Sequence, residues 1–232
     1  MQLRVKGWVI VFLCAAGFGT TDAQLVTVMK GAPFQATKTL TVNQPGEQYT
    51  VSSVVARGSD GSTYEELPDI RTGAPEIIFL ADAPGMRRIV LDVKRKFYSI
   101  QPFLESSIPN APTPDQLQKN LDSLKTLKAS HDSQDGYEVT KTPLGFRTQD
   151  GFVAYGTRRV YERVPPSSKL TDKIWEDWWM PALSLDIEKT GIGANNKPTH
   201  ATKFTNIRTK EPDASLFEIP ANYVAWPLPP SQ

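Results

Sequence analysis

The chain has 232 residues, with 26 lysines and arginines against 25 aspartates and glutamates, so its formal net charge is +1. This near-neutral balance argues against a nucleic-acid-binding protein, which needs a concentrated basic face, and against a protein held on membranes by charge. The single cysteine excludes an internal disulfide framework.

Residues 1–23 have the layout of a secretory signal peptide. Arg4 and Lys6 precede a short apolar run at 8–16, and mostly small residues follow up to Ala23. The apolar run is shorter than the roughly 20 residues that a transmembrane helix needs. The sequence therefore predicts an exported protein, periplasmic or secreted, with no membrane span after cleavage. An uncleaved membrane anchor is the alternative.

Cleavage is expected before Gln24, or alternatively near Gly19. Cys14 lies inside the apolar run and follows a leucine, so we do not expect it to be lipidated. Removal of the signal peptide removes this cysteine and leaves equal numbers of basic and acidic residues. The mature chain can then form neither a disulfide nor a thiolate metal site, and its length is ample for one domain.

The first half of the mature chain alternates apolar and polar residues, as strands do. Strands are predicted at 34–42, 49–57, 63–67, 76–81, 87–93 and 96–100. In the first of them Phe34, Ala36, Leu40 and Val42 share a face. Because short turn sequences such as Pro45-Gly46 separate these strands, they predict an antiparallel meander.

Residues 104–135 interrupt this pattern and are predicted to form a linker and one helix. Thr113, Pro114 and Gln116 are typical of a capped helix start. A narrow apolar stripe follows, made of Leu117, Leu121, Leu124 and Leu127. We interpret this helix as a cover over the sheet; a mobile lid over a cavity is the alternative.

The second half returns to strand patterns. Strands are predicted at 137–141, 146–148, 152–164, 174–180, 183–189 and 201–208. The segment 170–180 also fits helical spacing, although we favour a strand. A turn rich in glycine and asparagine is expected at 191–198. Pro212 is expected to open a short helical turn, after which Pro220 ends regular structure.

The predicted fold class is mainly β: a curved antiparallel sheet, as a half-barrel or meander, with one covering helix and a short C-terminal helical turn. We expect one domain at 24–223, with 104–135 as its helical insertion. A proline-rich tail is expected at 224–232, and no pairing partner is expected for 226–230 within it.

Catalytic and metal-binding patterns are scarce. His131 falls in the predicted linker, and His200 precedes the last strand without a nucleophile beside it. Glu65 and Glu66 are neighbours on a strand, so their carboxylates point to opposite faces and form no dyad. The sequence predicts no enzyme, no metal site and no cofactor. A hydrolase using carboxylates is the less favoured alternative.

Three tryptophans within five residues form the densest aromatic cluster. They either fill the core or line a pocket for an apolar ligand. The hypothetical ligand-binding site consists of Trp175, Trp178, Trp179, Leu117, Leu121 and Leu124. Arg158, Arg159 and Arg163 lie on one strand, where cross-strand ion pairs are expected instead of nucleic-acid binding.

Several short motifs of the C-terminal half resemble those of a family of uncharacterised exported bacterial proteins. They are Gly156-Thr-Arg158, Trp175 to Trp179, Leu183-Ser-Leu185, Thr205-Asn-Ile207, Glu211-Pro-Asp213, Ser215-Leu-Phe217 and Pro220 to Tyr223. Gly31-Ala-Pro-Phe34 resembles the opening of the same family. The layout is also similar to the half-barrel of LolA-type lipoprotein carriers, which implies a curved sheet wrapped around helices over an apolar cavity. These resemblances imply no activity.

The sequence thus indicates a non-enzymatic envelope protein that shelters an apolar or lipid-like ligand in a curved sheet. The alternative is a protein-interaction or structural module of the envelope, which would bind a protein partner through a sheet edge or through the tail 224–232.

Overall fold

The computed structural model describes residues 26–103, 107–164, 173–193 and 196–226. The predicted signal peptide lies outside the described residues. The described segments form a curved, unclosed sheet of thirteen strands, together with one α-helix and one short 3-10 turn. This architecture confirms the predicted mainly-β fold class.

The strands follow the chain as two meanders, before and after the helix. The strands are β1 Phe34–Gln44, β2 Glu47–Arg57, β3 Thr63–Pro68, β4 Pro75–Asp82, β5 Arg87–Asp92, β6 Phe97–Pro102, β7 Ser130–Gln134, β8 Tyr137–Gln149, β9 Phe152–Arg163, β10 Lys173–Met180, β11 Leu185–Ile192, β12 Pro198–Arg208 and β13 Val224–Ala225. The helix α1 is Pro114–Lys125, and the 3-10 turn is Ala214–Phe217. The segment 173–180 is a strand, as we favoured.

In the sheet the strands lie in the order β13-β6-β5-β4-β3-β2-β1-β12-β11-β10-β9-β8-β7. All neighbours pair antiparallel except β13 and β6, which are parallel. The pairing of β1 with β12 joins the two meanders, because β12 returns to the middle of the sheet. The last long strand therefore closes the gap between the halves.

The structure corrects the prediction around β7 and β8. Residues 130–134, predicted as linker, form an edge strand that carries His131 and leaves every side chain exposed. Such a strand shows no apolar alternation, because it pairs with β8 through its backbone and through polar side chains such as Ser133, which donates to Glu138 at 2.7 Å. The turn at Asp135-Gly136 joins the two strands and has positive φ at both residues. The predicted pair 137–141 and 146–148 is one continuous strand, since a bulge between Pro143 and Gly145 accommodates the proline.

A second correction concerns β11 and β12. β11 extends to Ile192, into the predicted turn. In β12, predicted at 201–208, a regular strand would place odd-numbered and even-numbered residues on opposite faces, and this alternation fails. Asn206 has a φ of 55°, and the register with β1 shifts there, so Phe204 and Ile207 are both buried. A bulge changes which side chains face the core, and no residue type in this segment requires one.

The C-terminal segment packs on the sheet as a hook. Asp213 caps the 3-10 turn and accepts the Ser215 N–H at 2.9 Å, so Pro212 precedes the cap instead of opening the turn as predicted. Four half-buried side chains, Leu216, Phe217, Ile219 and Tyr223, pack against a buried cluster on β2–β5. That cluster consists of Ala56, Tyr64, Leu80, Ile89 and Leu91.

The chain continues to pair beyond this hook. Val224–Ala225 adds a strand to β6, and the Trp226 ring meets the Phe97 ring edge-on at a centroid distance of 5.1 Å. The expectation of no partner from Trp226 onward is therefore wrong for Trp226, whose N–H also donates to the Tyr98 carbonyl at 2.7 Å. This pairing covers the edge that β6 would otherwise present. The rest of the predicted tail, 227–232, lies outside the described residues.

Phe217→Ala is expected to lower the free energy of unfolding by about 1–3 kcal/mol, which is less than a fully buried phenylalanine would cost. The side chain is half-buried, and its loss uncovers the cluster beneath the hook. Urea unfolding measures the difference, with Leu67→Ala as a control because Leu67 is 42% exposed. Equal unfolding midpoints for Phe217→Ala and wild type would show that the hook does not stabilise the sheet.

The second buried cluster lies where the N-terminal segment meets the ends of several strands. Val26, Met29 and Ala32 pack there with residues of β1, β2 and β12 and with the turn between β10 and β11. Phe34, Ala36 and Val42 are buried and Leu40, on the same face, is half-buried, which confirms the face predicted for the first strand. This cluster fixes the position of β10, and β10 carries the tryptophans.

Candidate functional site

α1 starts where the sequence predicts. The Thr113 hydroxyl accepts the Gln116 N–H at 3.3 Å, and the Gln116 side chain accepts the Thr113 N–H at 2.8 Å, which together form a capping box. The helix ends at Lys125, so the predicted fourth leucine of the stripe, Leu127, lies beyond it. No residue of α1 is buried, although three of its residues are half-buried leucines.

An open cleft of about 250 Å³ separates α1 from β10. Its lining residues are Asn120, Ser123, Leu124, Leu127 and Trp179. The apolar members face each other across the cleft, and Leu127 is 53% exposed. Residues 120, 123, 124 and 127 have the spacing of one helical face, so the sequence does contain a signal for them. The prediction followed the leucines alone and therefore missed the two polar lining residues.

The structure brings together two of the six hypothetical site residues, Trp179 and Leu124. Leu117 and Leu121 are half-buried on the helix and do not line the cleft. Unbroken register between β9 and β10 places Trp175 and Trp179 on one face of the sheet. We call this the helix-covered face, because α1 meets the sheet there.

Trp178 lies on the opposite face. The Arg147 guanidinium stacks over its ring at 4.1 Å, and Arg147 also donates to Glu188 at 2.7 Å. The ring rests against Gly156, where a Cβ atom would lie only 2.9 Å from it. Trp178 also packs against the buried cluster, so its surroundings are those of a core residue.

Trp175 shares the helix-covered face but has polar neighbours. Its ring meets the His200 ring edge-on at 4.5 Å, and the Lys189 ammonium lies 4.8 Å above it. The His200 ring lies against the backbone of Gly191, in space that any Cβ would fill. Burial, with a smaller contribution from Lys189, lowers the pKa of His200. His200 is thus a neutral packing partner of Trp175 at pH 7, and its Nδ1 lies 3.1 Å from the Thr199 hydroxyl, which donates to the Gly191 carbonyl at 3.1 Å.

Charged residues adjoin the aromatic residues. Arg159 Nε donates to Asp177 at 2.9 Å on the helix-covered face, and Arg158 pairs with Glu176 at 3.0 Å on the other face. These contacts confirm the cross-strand ion pairs expected for this strand. Asp186 lies directly opposite Trp179, and burial, with a smaller effect of Asp177, raises its pKa.

Asp186→Asn is expected to raise the melting temperature at neutral pH. Because the folded-state pKa of Asp186 lies above its unfolded value, the folded state binds more protons between the two values and loses stability as the pH rises through the folded-state pKa. The asparagine variant lacks this loss, so its advantage should shrink as the pH falls toward the ordinary aspartate range. Melting curves across that range test this; a variant less stable than wild type at pH 7 would contradict it.

The Glu65 and Glu66 carboxylates accept hydrogen bonds on opposite faces of β3, as predicted. Glu65 accepts the Val26 N–H at 3.2 Å, whereas Glu66 accepts the Tyr64 hydroxyl at 2.6 Å and the Val54 N–H at 2.8 Å. Across the described ranges no group of three or more histidines, aspartates and glutamates could hold a metal ion. In the same residues no helix is long and apolar enough to cross a membrane.

The chain matches no protein-family model and no curated protein sequence. Among similar solved structures, an uncharacterised conserved protein from Thermus thermophilus has a TM-score of 0.48 and 10% identity, over 84% of this chain and 90% of that one. A LolA superfamily protein, NE2245 from Nitrosomonas europaea, has a TM-score of 0.30 and 7% identity, over 82% and 92%.

The complex of Pseudomonas aeruginosa MucA and MucB is also similar, with a TM-score of 0.37 and 12% identity, over 83% of this chain and 57% of that chain. The similar structures thus include a LolA superfamily protein and a MucA–MucB complex. Their TM-scores are all below 0.5, so the function is argued from the site itself.

Proposed function

We propose that this protein is a non-enzymatic carrier or binding protein of the cell envelope that holds an apolar, lipid-like ligand between α1 and the helix-covered face. The observation that carries the proposal is the open cleft between the leucines of the helical segment and Trp179. An apolar stripe that served only as a cover would be buried against the sheet, whereas no residue of α1 is buried.

The size of the cleft suggests how a ligand enters. Its volume of about 250 Å³ is below the range of about 300–1,000 Å³ that is usual for small-molecule pockets. A bound lipid-like molecule therefore requires α1 to move outward. The helix is suited to this movement, because its capping box and its Asp122–Lys125 ion pair are internal to the helical segment and travel with it.

The direct test is binding of N-phenyl-1-naphthylamine, an apolar dye whose fluorescence rises in apolar surroundings and accepts energy from tryptophan. We expect saturable binding, and Trp179→Ala should weaken it by at least about tenfold, because a large aromatic wall contributes more than about 1.4 kcal/mol. Trp226→Ala is the matched control, since Trp226 lies at the opposite edge of the sheet order. Equal affinity in wild type and Trp179→Ala would refute the site.

The protein-partner alternative named two surfaces, a sheet edge and the tail. The outer strand β7 is polar and fully exposed, and these are features by which proteins avoid unwanted edge pairing, so the tail is the surface to test. A pulldown that compares the full chain with a version truncated after Trp226 tests the tail without removing β13. Loss of a partner upon truncation would favour this alternative over the ligand site.

A further inference from the structure

A row of aromatic residues continues from the cleft across two further strands. Trp179 on β10 pairs directly with Tyr155 on β9, and Tyr155 pairs with Phe146 on β8. Direct cross-strand partners lie on the same face of a sheet. The Phe146 and Tyr155 rings are in contact at a centroid distance of 5.2 Å. These three side chains, which we call the aromatic row, lie side by side on one face of the sheet, and the row begins at the cleft.

The outer end of the aromatic row is open. Phe146 is 39% exposed, although it is large and apolar, and the same face of the next cross-strand pair carries Val153, which is 41% exposed. Tyr155, in the middle, is only 6% exposed, and burial raises its pKa. The row therefore joins two accessible ends, one at the cleft and one at Phe146, through a buried tyrosine.

Charged residues border the aromatic row around Trp179. On one side the next row of cross-strand partners consists of Pro143, Thr157, Asp177 and Lys189, and Asp177 is bound by Arg159. The inner end of the aromatic row meets Asp186, the direct partner of Trp179. Charged side chains thus limit the apolar surface beside β10 and at its inner end, whereas three strands give it a length of about 10 Å between β10 and β8.

From this shape we infer that the site selects a straight alkyl chain over a compact apolar molecule, and that Phe146 determines the length of chain that gains affinity. The inference rests on the proposed ligand site and specifies its ligand class. A chain that enters beneath Leu124 and Leu127 continues over Tyr155 toward Phe146 when α1 moves outward. A branched or polycyclic group would press against the row of Asp177 and Lys189 and desolvate its charges.

The test is competition against N-phenyl-1-naphthylamine by a series from octyl to tetradecyl maltoside, each below its micelle-forming concentration. In wild type we expect affinity to rise by about fourfold for each methylene group until the chain covers Phe146, and then to level off. In Phe146→Ala the affinity should level off at a shorter chain, and octyl maltoside should bind as tightly as it does to wild type. Leu144→Ala is the matched control: Leu144 is 38% exposed and lies against Gly156 on the opposite face.

The outcomes separate this inference from the proposed function. Dye binding that depends on Trp179, together with the same plateau in Phe146→Ala and wild type, would overturn the inference and leave the proposed site standing. An equal loss of affinity at every chain length in Phe146→Ala would also overturn the inference, because Phe146 would then stabilise the site as a whole and would not determine the preferred chain length. Binding of 1-adamantanol as tight as that of decanol would overturn the shape selectivity. If neither dye nor maltoside binds, both proposals fail.

Discussion

Arg57→Met is expected to lower the free energy of unfolding by about 3 kcal/mol or more. Arg57 is completely buried. Its guanidinium donates to the carbonyl of Ala32 at 2.9 Å, to that of Thr27 at 3.0 Å and to that of Leu183 at 2.7 Å. It also lies 5.0 Å from the centre of the Phe34 ring.

The physical reason is that this one side chain donates to three backbone carbonyls, two in the N-terminal segment and one in the turn between β10 and β11. Burial lowers the pKa of Arg57 to about 10, so it is still charged at neutral pH, and charge-assisted hydrogen bonds offset the cost of its burial. Methionine fills similar space but leaves these carbonyls, including those of the buried residues Ala32 and Leu183, without their donors, at about 1–3 kcal/mol for each group that finds no other partner.

Urea unfolding of Arg57→Met, Arg57→Lys and Arg71→Met measures this effect. Lysine retains the charge but lacks the fork of donors, so its stability should be intermediate. Arg71 is the control, because its side chain is 85% exposed and its ion pair with Asp69 should contribute less than about 1 kcal/mol. A methionine variant as stable as the Arg71 variant would contradict the account.

Lys38→Met is also expected to lower the free energy of unfolding, by about 3–5 kcal/mol. Lys38 on β1 pairs with Glu65 on β3, and their side chains are only 15% and 7% exposed. Glu65 also accepts the Val26 N–H, so it ties the N-terminal segment to the sheet. Removing the lysine leaves a carboxylate buried without its counter-charge, which costs far more than the pair contributes when intact.

The double variant Lys38→Met/Glu65→Gln separates charge from packing. Glutamine can still accept the Val26 N–H and needs no counter-charge, so it should recover most of the lost stability. Lys125→Met is the matched control, because its partner pair with Asp122 is exposed and should contribute less than about 0.5 kcal/mol. If the double variant is no more stable than Lys38→Met, the burial of an unpaired carboxylate is not the cause.

The fold class could be predicted from the sequence because local patterns determine most strands. Alternation gave the face of Phe34 and Ala36, and the box of Thr113 and Gln116 gave the start of α1. Local patterns do not show which strands pair. The polar strand β7 and the short strand β13 form because their backbones pair with neighbouring strands, and their own side chains are exposed.

The site was only partly predictable for a related reason. Trp179 could be proposed from composition, but the assignment of Trp178 to the opposite face depends on the strand at 173–180, which helical spacing also fitted. Phe146 and Tyr155 lie beside Trp179 only because of the register of three strands. The register across a bulge cannot be predicted from the sequence of any single strand. The burial of Arg57 likewise depends on carbonyls from distant parts of the chain.

The central claim, that a ligand lies between α1 and Trp179, is tested most directly by a bimane label on Ser123→Cys, with Cys14 replaced by serine. Ser123 and Trp179 line the same cleft, and tryptophan quenches bimane at contact distance. We expect decyl maltoside to raise bimane fluorescence in a saturable manner, and the response should vanish when Trp179→Phe is added. Unchanged fluorescence at ligand concentrations that displace the dye would place the ligand elsewhere and contradict the account.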